Sequence, residues 1–127
     1  IITRVPPDER KATRMLRTAE LRWRFWDRDI EEEFTALKAE AYYDIIKELI
    51  FAHLYRNGYD SANHVCLIAY LREMMPDFGF ETDKIDELRK VRNNMNYKGL
   101  IVERGYLRKN ELEFKHIINE LKARLED

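Results

Sequence analysis

From Ala12 onward the apolar side chains Ala12, Leu16, Ala19, Trp23, Trp26 and Ile30 recur four and three positions apart without a break. An α-helix gathers that spacing onto one stripe, because each residue turns the chain by about 100°. The pattern then returns along the chain. Phe34, Leu37, Ala41, Ile45, Leu49 and His53 form a second line, with Tyr42, Ile46 and Ile50 beside it. Val65, Ile68, Leu71 and Met75 form a third, Ile85, Leu88, Val91 and Met95 a fourth, and Phe114, Ile118, Leu121 and Leu125 a fifth. No strand-like alternation runs between turn signals, and there is no internal repeat or low-complexity tract. The expected fold is all-α: an antiparallel bundle of about five helices, in a single domain over residues 1–127.

Local signals set the expected helix ends. Pro6-Pro7 followed by Asp8 and Glu9 suits the opening turn of a first helix running to about Arg28. A second helix is expected over roughly Glu31 to Arg56, stopped by Asn57-Gly58, with a turn at Tyr59-Asp60-Ser61. Pro76 ends the third, and Phe78-Gly79-Phe80 reads as a tight apolar connection. Thr82 or Asp83 is placed to cap a fourth helix that ends at Gly99, and a fifth begins near Leu107.

The net charge of −1 gives no whole-molecule attraction to nucleic acid or to anionic lipid, so binding of either requires a local patch. Cys66 is the only cysteine, which excludes an internal disulfide. With no apolar stretch of the length of a membrane span or signal core, the expected location is the cytoplasm. His53, His64 and His116 lack metal-ligand spacing, and there is no glycine-rich phosphate loop or nucleophile triad, so neither a metal nor a cofactor is expected.

One residue breaks the helical pattern. Ile85, Leu88, Arg92 and Met95 share a heptad seam, which places a guanidinium where an apolar side chain is called for. A charge on such a seam is costly unless paired or solvated, so Arg92 needs a carboxylate, a cleft or a partner surface beside it. Asn93, Asn96 and Tyr97 lie within roughly 140° of Arg92 around the helix, which is enough for an anion-sized polar site.

The stretches YYDIIKELIFAHLYRNG (Tyr42 to Gly58), SANHVCLIAYL (Ser61 to Leu71) and DELRKVRNNMNYKG (Asp86 to Gly99) are arranged as in the HEPN domains. From Ala41 onward the chain resembles that family, helical bundles of prokaryotic nucleic-acid and defence systems. With the last helix the likeness covers about two thirds of the chain. Active members have an arginine followed by a polar residue and, after four to six further positions, a histidine. Arg92 and Asn93 match the start; Tyr97, Lys98 or Gly99 stands where the histidine belongs. The resemblance implies a metal-independent ribonuclease site formed by two copies of the motif across a homodimer cleft. It also implies a toxin–antitoxin or defence setting, in which the alternative role is a non-catalytic module docked on a partner such as a nucleotidyltransferase.

Metal-free RNA cleavage needs a base for the 2′-hydroxyl, an acid for the leaving oxygen and a cation for the phosphate. Arg92 is suited to be the cation and Asn93 to orient it. Tyr97 is a poor base, since with a pKa near 10 only about one phenol in a thousand is ionised at pH 7. The expected catalytic set is Arg92, Asn93 and Tyr97, with RNA cleavage weak or lost while RNA or nucleotide binding persists. Expected nucleic-acid contacts are Arg92, Asn96 and Lys98, joined by Arg14 and Arg17 from the first helix. There Arg10, Arg14, Arg17, Arg24 and Arg28 fall within roughly an 80° arc opposite the apolar stripe. Two readings fit that arc: a phosphate-binding face, or a solvated face paired with Asp29, Glu31, Glu32 and Glu33.

Overall fold

In a computed structural model of the chain, which describes residues 2–61, 64–98 and 102–126 (backbone alone for 64–66 and 96–98), five helices pack as an all-α bundle. They are α1 (Glu9–Trp26), α2 (Thr35–Arg56), α3 (His64–Met74), α4 (Gly79–Lys98) and α5 (Arg104–Glu126). Side-chain contacts give their directions. Arg22–Glu48 and Glu9–Arg56 make α1 antiparallel to α2, whereas Tyr42–Glu111 and His53–Leu121 make α5 run the same way as α2. Glu81–His116 joins the start of α4 to α5, and Asp77, in the turn just before α4, pairs with Arg124 of α5. None of the described helices is long and apolar enough to cross a membrane.

α2 is the centre. Tyr42, Tyr43, Ile45, Ile46, Leu49, Ile50 and Leu54 are all buried, so apolar residues occupy most of its circumference rather than one stripe. Around it lie Ile85 and Leu88 of α4 and Phe114, Ile117, Ile118 and Leu121 of α5. Each fully buried large side chain is worth about 1.5–3 kcal/mol relative to exposure. The Tyr42 ring sits 5.4 Å from Trp23 and 5.2 Å from Phe114, joining α1, α2 and α5 through aromatic contacts. On α1 the stripe is buried in part: Ala12 and Ala19 are fully covered, while Leu16, Trp23 and Trp26 are half-buried. Phe34 and Leu37 are exposed rather than core, while Thr35, Lys38 and Ala39 beside them are buried, so the covered face of the first turn of α2 is rotated away from that line.

Several boundaries differ from the sequence reading. Asp8 caps α1 as its chemistry suggests, accepting from Lys11 N at 2.9 Å. α4, however, begins at Gly79 directly after a 3-10 turn at Pro76–Phe78, so Thr82 is no cap: it is buried one turn inside, its hydroxyl donating to Phe78 O at 2.8 Å. α5 starts three residues before Leu107, its first turn tied down by Arg104 Nη2 donating to Ile30 O at 2.8 Å. A two-stranded antiparallel sheet, β1 (Ile2–Arg4) with β2 (Tyr59–Ser61), has no counterpart in the sequence pattern, since three-residue strands are too short to show alternation.

That sheet closes over the α2–α3 turn. Val5 N donates to Gly58 O at 2.9 Å and Asp8 N to Tyr55 O at 2.8 Å, so the first residues are stitched to the end of α2. Gly58 makes this approach possible: its φ is +80°, and a Cβ there would stand 2.7 Å from Val5 O. Gly58→Ala is therefore expected to lower stability by at least about 1–2 kcal/mol, the cost of the left-handed conformation alone. Urea denaturation against the parent chain checks this; equal midpoints would show that the turn relaxes freely.

Candidate functional site

The seam of α4 runs from Ile85 and Leu88, both buried, to Arg92, whose side chain is 23% exposed. Its guanidinium lies over the Tyr43 ring of α2, with Cζ 5.5 Å from the ring centroid. Arg92 Nη2 is 4.0 Å from Asp44 Oδ1, at the edge of ion pairing and beyond hydrogen-bond length. The same Asp44 oxygen is 3.5 Å from Lys47 Nζ. One carboxylate thus faces two cations. Arg92 Nε is buried with no hydrogen-bond partner among the described residues. A guanidinium held this way keeps unused donors and surplus positive charge, the condition for binding an oxyanion.

Tyr43 is part of the same setting. Burial pushes its hydroxyl up to about 12, against the opposing pull of Arg92 and Arg89. One turn earlier on α4, Arg89 Nε is 2.8 Å from Asp86 Oδ1, and Lys90 shares that carboxylate at 3.5 Å. Asn93 is half-buried beside Arg92. α4 continues unbroken through Lys98, so Asn96 and Tyr97 keep their helical register after Arg92; the side chains of Asn96, Tyr97 and Lys98 lie outside the described residues. Arg14 and Arg17 are exposed on α1, and among the described residues no hydrogen bond or ion pair joins them to Arg92. The site and the arginine face are separate places.

A polar cluster that sequence reading missed lies between α2 and α5. Lys38 is buried, its Nζ donating to Arg28 O at 2.7 Å and lying 3.1 Å from Glu111 Oε2. The Tyr42 hydroxyl donates to the same oxygen at 2.7 Å. Burial pushes the Glu111 carboxyl up, but the hydrogen bonds from Tyr42 and Lys38 outweigh it and hold it below its ordinary value. Thr35, Lys38, Arg104, Arg108, Asp29 and Glu111 line a cavity of about 450 Å³ beside this cluster. Nothing in the sequence marked it: Lys38 falls within an ordinary helical segment, and its partner stands 73 positions away.

His53 and His116 stand apart and do not assemble a catalytic group. His53 is buried, Nε2 donating to Leu121 O at 3.1 Å, and burial keeps its pKa below the ordinary value. His116 is half exposed, 3.2 Å from Glu81 Oε2. The side chains of His64 and Cys66 lie outside the described residues. Among the described residues no three His, Cys, Asp or Glu side chains gather to hold a metal ion, the run Asp29 to Glu33 included.

Glu111→Ala leaves the buried Lys38 ammonium without its counterion and is expected to cost about 3 kcal/mol. Lys38→Met keeps the apolar stem, removes the charge and leaves Glu111 its bond from Tyr42, so its cost is expected to be smaller. Urea denaturation of both variants checks the order; the reverse order would show that Lys38 is solvated independently of Glu111. Comparison of the chain with protein-family models, with curated proteins and with solved structures finds no significant match in any of the three.

Proposed function

We propose that the chain is a HEPN-type helical bundle protein of the cytoplasm that binds RNA or a nucleotide phosphate. Arg92 is the anion-binding cation, Asn93 holds and orients the phosphate, and Asn96 and Lys98 extend the contact along the last turn of α4. The protein works as a homodimer, in a toxin–antitoxin or defence setting, with two copies of the segment facing one cleft. Tyr97 takes the place of the family's histidine, so metal-independent RNA cleavage is weak or lost.

One observation carries this reading: Arg92 sits on the packed side of α4, yet among the described residues the one carboxylate within ion-pairing distance is Asp44, at 4.0 Å and shared with Lys47. The guanidiniums that tie helices together in this fold are held at hydrogen-bond distance, Arg22 by Glu48 at 2.7 Å and Arg124 by Asp77 at 2.7 and 3.3 Å. A phosphate oxygen beside Arg92 would supply the hydrogen bonds that Asp44 does not.

Arg92→Ala is expected to weaken binding of single-stranded RNA about tenfold or more while changing folding stability by less than about 1 kcal/mol, the range of an incompletely desolvated pair. Binding titration and urea denaturation on the same samples separate the two effects. A loss of several kcal/mol of stability with no RNA binding to lose would make Arg92 structural. Sedimentation at micromolar concentration is expected to give a dimer; a monomer would sink the shared cleft.

Tyr97→His is expected to raise ribonuclease activity on single-stranded RNA. Forming phenolate at pH 7 from a pKa near 10 costs about 4 kcal/mol, whereas an imidazole of pKa about 6.5 is mostly neutral and ready to accept a proton. Adding Arg92→Ala to the Tyr97→His chain should remove the gained activity. A Tyr97→His protein that folds, dimerises, binds RNA and cleaves nothing would leave a binding surface only.

A further inference from the structure

The outward arginines of α1, and Arg28 just beyond its end, do not meet the acidic run that follows them. Arg10, Arg14, Arg17, Arg24 and Arg28 are all exposed, and among the described residues none has a carboxylate within ion-pairing distance. The two acidic side chains of the helix are engaged elsewhere: Glu9 with Arg56 at 3.2 Å and Glu20 with Lys122 at 3.7 Å. Arg22, on the packed side, takes Glu48 at 2.7 Å. In a chain of net charge −1, the outer face of one helix is left almost purely cationic from Arg10 to Arg24, about 21 Å along the axis. Asp27 and Asp29 dilute it only beyond Trp26.

The same face carries an aromatic ring in the open. Phe25 is 59% exposed, with Leu21 at 47% one turn before it. The Phe25 ring is fixed rather than free: the Arg28 guanidinium lies 4.5 Å from its centroid, Arg28 Nε donates to Phe25 O, and Trp26 meets its edge. A row of unpaired arginines beside a fixed, exposed aromatic ring is the combination that tracks a phosphate backbone and stacks unpaired bases.

From this placement we infer that the outer face of α1 is a second nucleic-acid surface. It binds single-stranded RNA through Arg10, Arg14, Arg17 and Arg24, with Phe25 as the stacking platform. The inference takes its partner class from the RNA reading above but uses none of the Arg92 residues. A lipid surface fits less well. The apolar stripe of α1 is spent against α2, and Leu21 and Phe25 alone are too little apolar area for a helix lying in a membrane interface. A duplex fits less well too, since its bases are already stacked and offer the ring nothing.

The test is fluorescence anisotropy of a labelled oligouridine of about 15 nucleotides, within the usual range of single-strand sites, titrated with the full chain at two salt concentrations. The double variant Arg14→Glu, Arg17→Glu is expected to bind at least about tenfold more weakly, with a salt dependence shallower by about 1.4 in log–log slope, two phosphate contacts at 0.7 each. Phe25→Ala is expected to bind about tenfold more weakly at unchanged slope, because stacking releases no counterions. Arg92→Gln should keep the salt dependence that α1 contributes. If Arg92→Gln abolishes binding while the α1 variants bind like the parent, the α1 inference is overturned and the Arg92 reading stands. Loss in the α1 variants with Arg92→Gln unaffected has the opposite meaning. Parent chain that ignores the oligonucleotide overturns both, and capture by phosphatidylserine vesicles that is lost in the α1 variants would make the face a lipid surface.

Discussion

α2 is enclosed along most of its length by α1, α4 and α5, and a helix in that position has almost no solvent face for its polar side chains. A buried charge on it must find a partner from outside the helix or stay costly. Glu48 takes Arg22 from α1, Lys38 takes Glu111 from α5 and the Arg28 carbonyl, and His53 donates to the Leu121 carbonyl. These bonds fix the register of α1 and α5 on α2 as firmly as the apolar contacts do. Sliding either helix by one turn would strand a buried charge.

Asp44 is the exception in that scheme. It is shared between Lys47 on its own helix and Arg92 across the α4 interface, and neither contact is short. The seam of α4 therefore changes character along its length, from buried Ile85 and Leu88 to a half-buried guanidinium over Tyr43. Packing energy that would come from an apolar residue at that position is given up, and the resulting surplus positive charge lies where oxyanion binding would use it.

The charge pattern repeats this asymmetry on a larger scale. Near-neutral totals conceal one helix whose outward arginines have no ion pair among the described residues and whose acids face other helices. Asp29, Glu31, Glu32 and Glu33 are close in sequence yet form no ion pair with that face, because the chain leaves α1 at Trp26 and turns into α2 through a 3-10 turn at Glu32–Phe34. Long-range potential around the molecule is set by such geometry rather than by net charge.

By itself the sequence determined the helices: the three-and-four spacing of Ala12 to Trp26, the Asn57-Gly58 stop and the break at Pro76 all correspond to observed elements, because helix periodicity and terminal signals are local properties, although the same line overshoots to Ile30, which lies beyond the end of α1. It also marked Arg92 as out of place on its seam. Only the tertiary structure decided what stands beside it, since Asp44 and Tyr43 lie nearly fifty positions earlier and nothing local ties them to α4. The same holds for the β1–β2 pair, for the early start of α5 on the Ile30 carbonyl, and for the Lys38–Glu111–Tyr42 cluster. Periodicity tells which face of a helix is covered; which residue covers it depends on how the helices cross, and that geometry is a property of the whole packed chain.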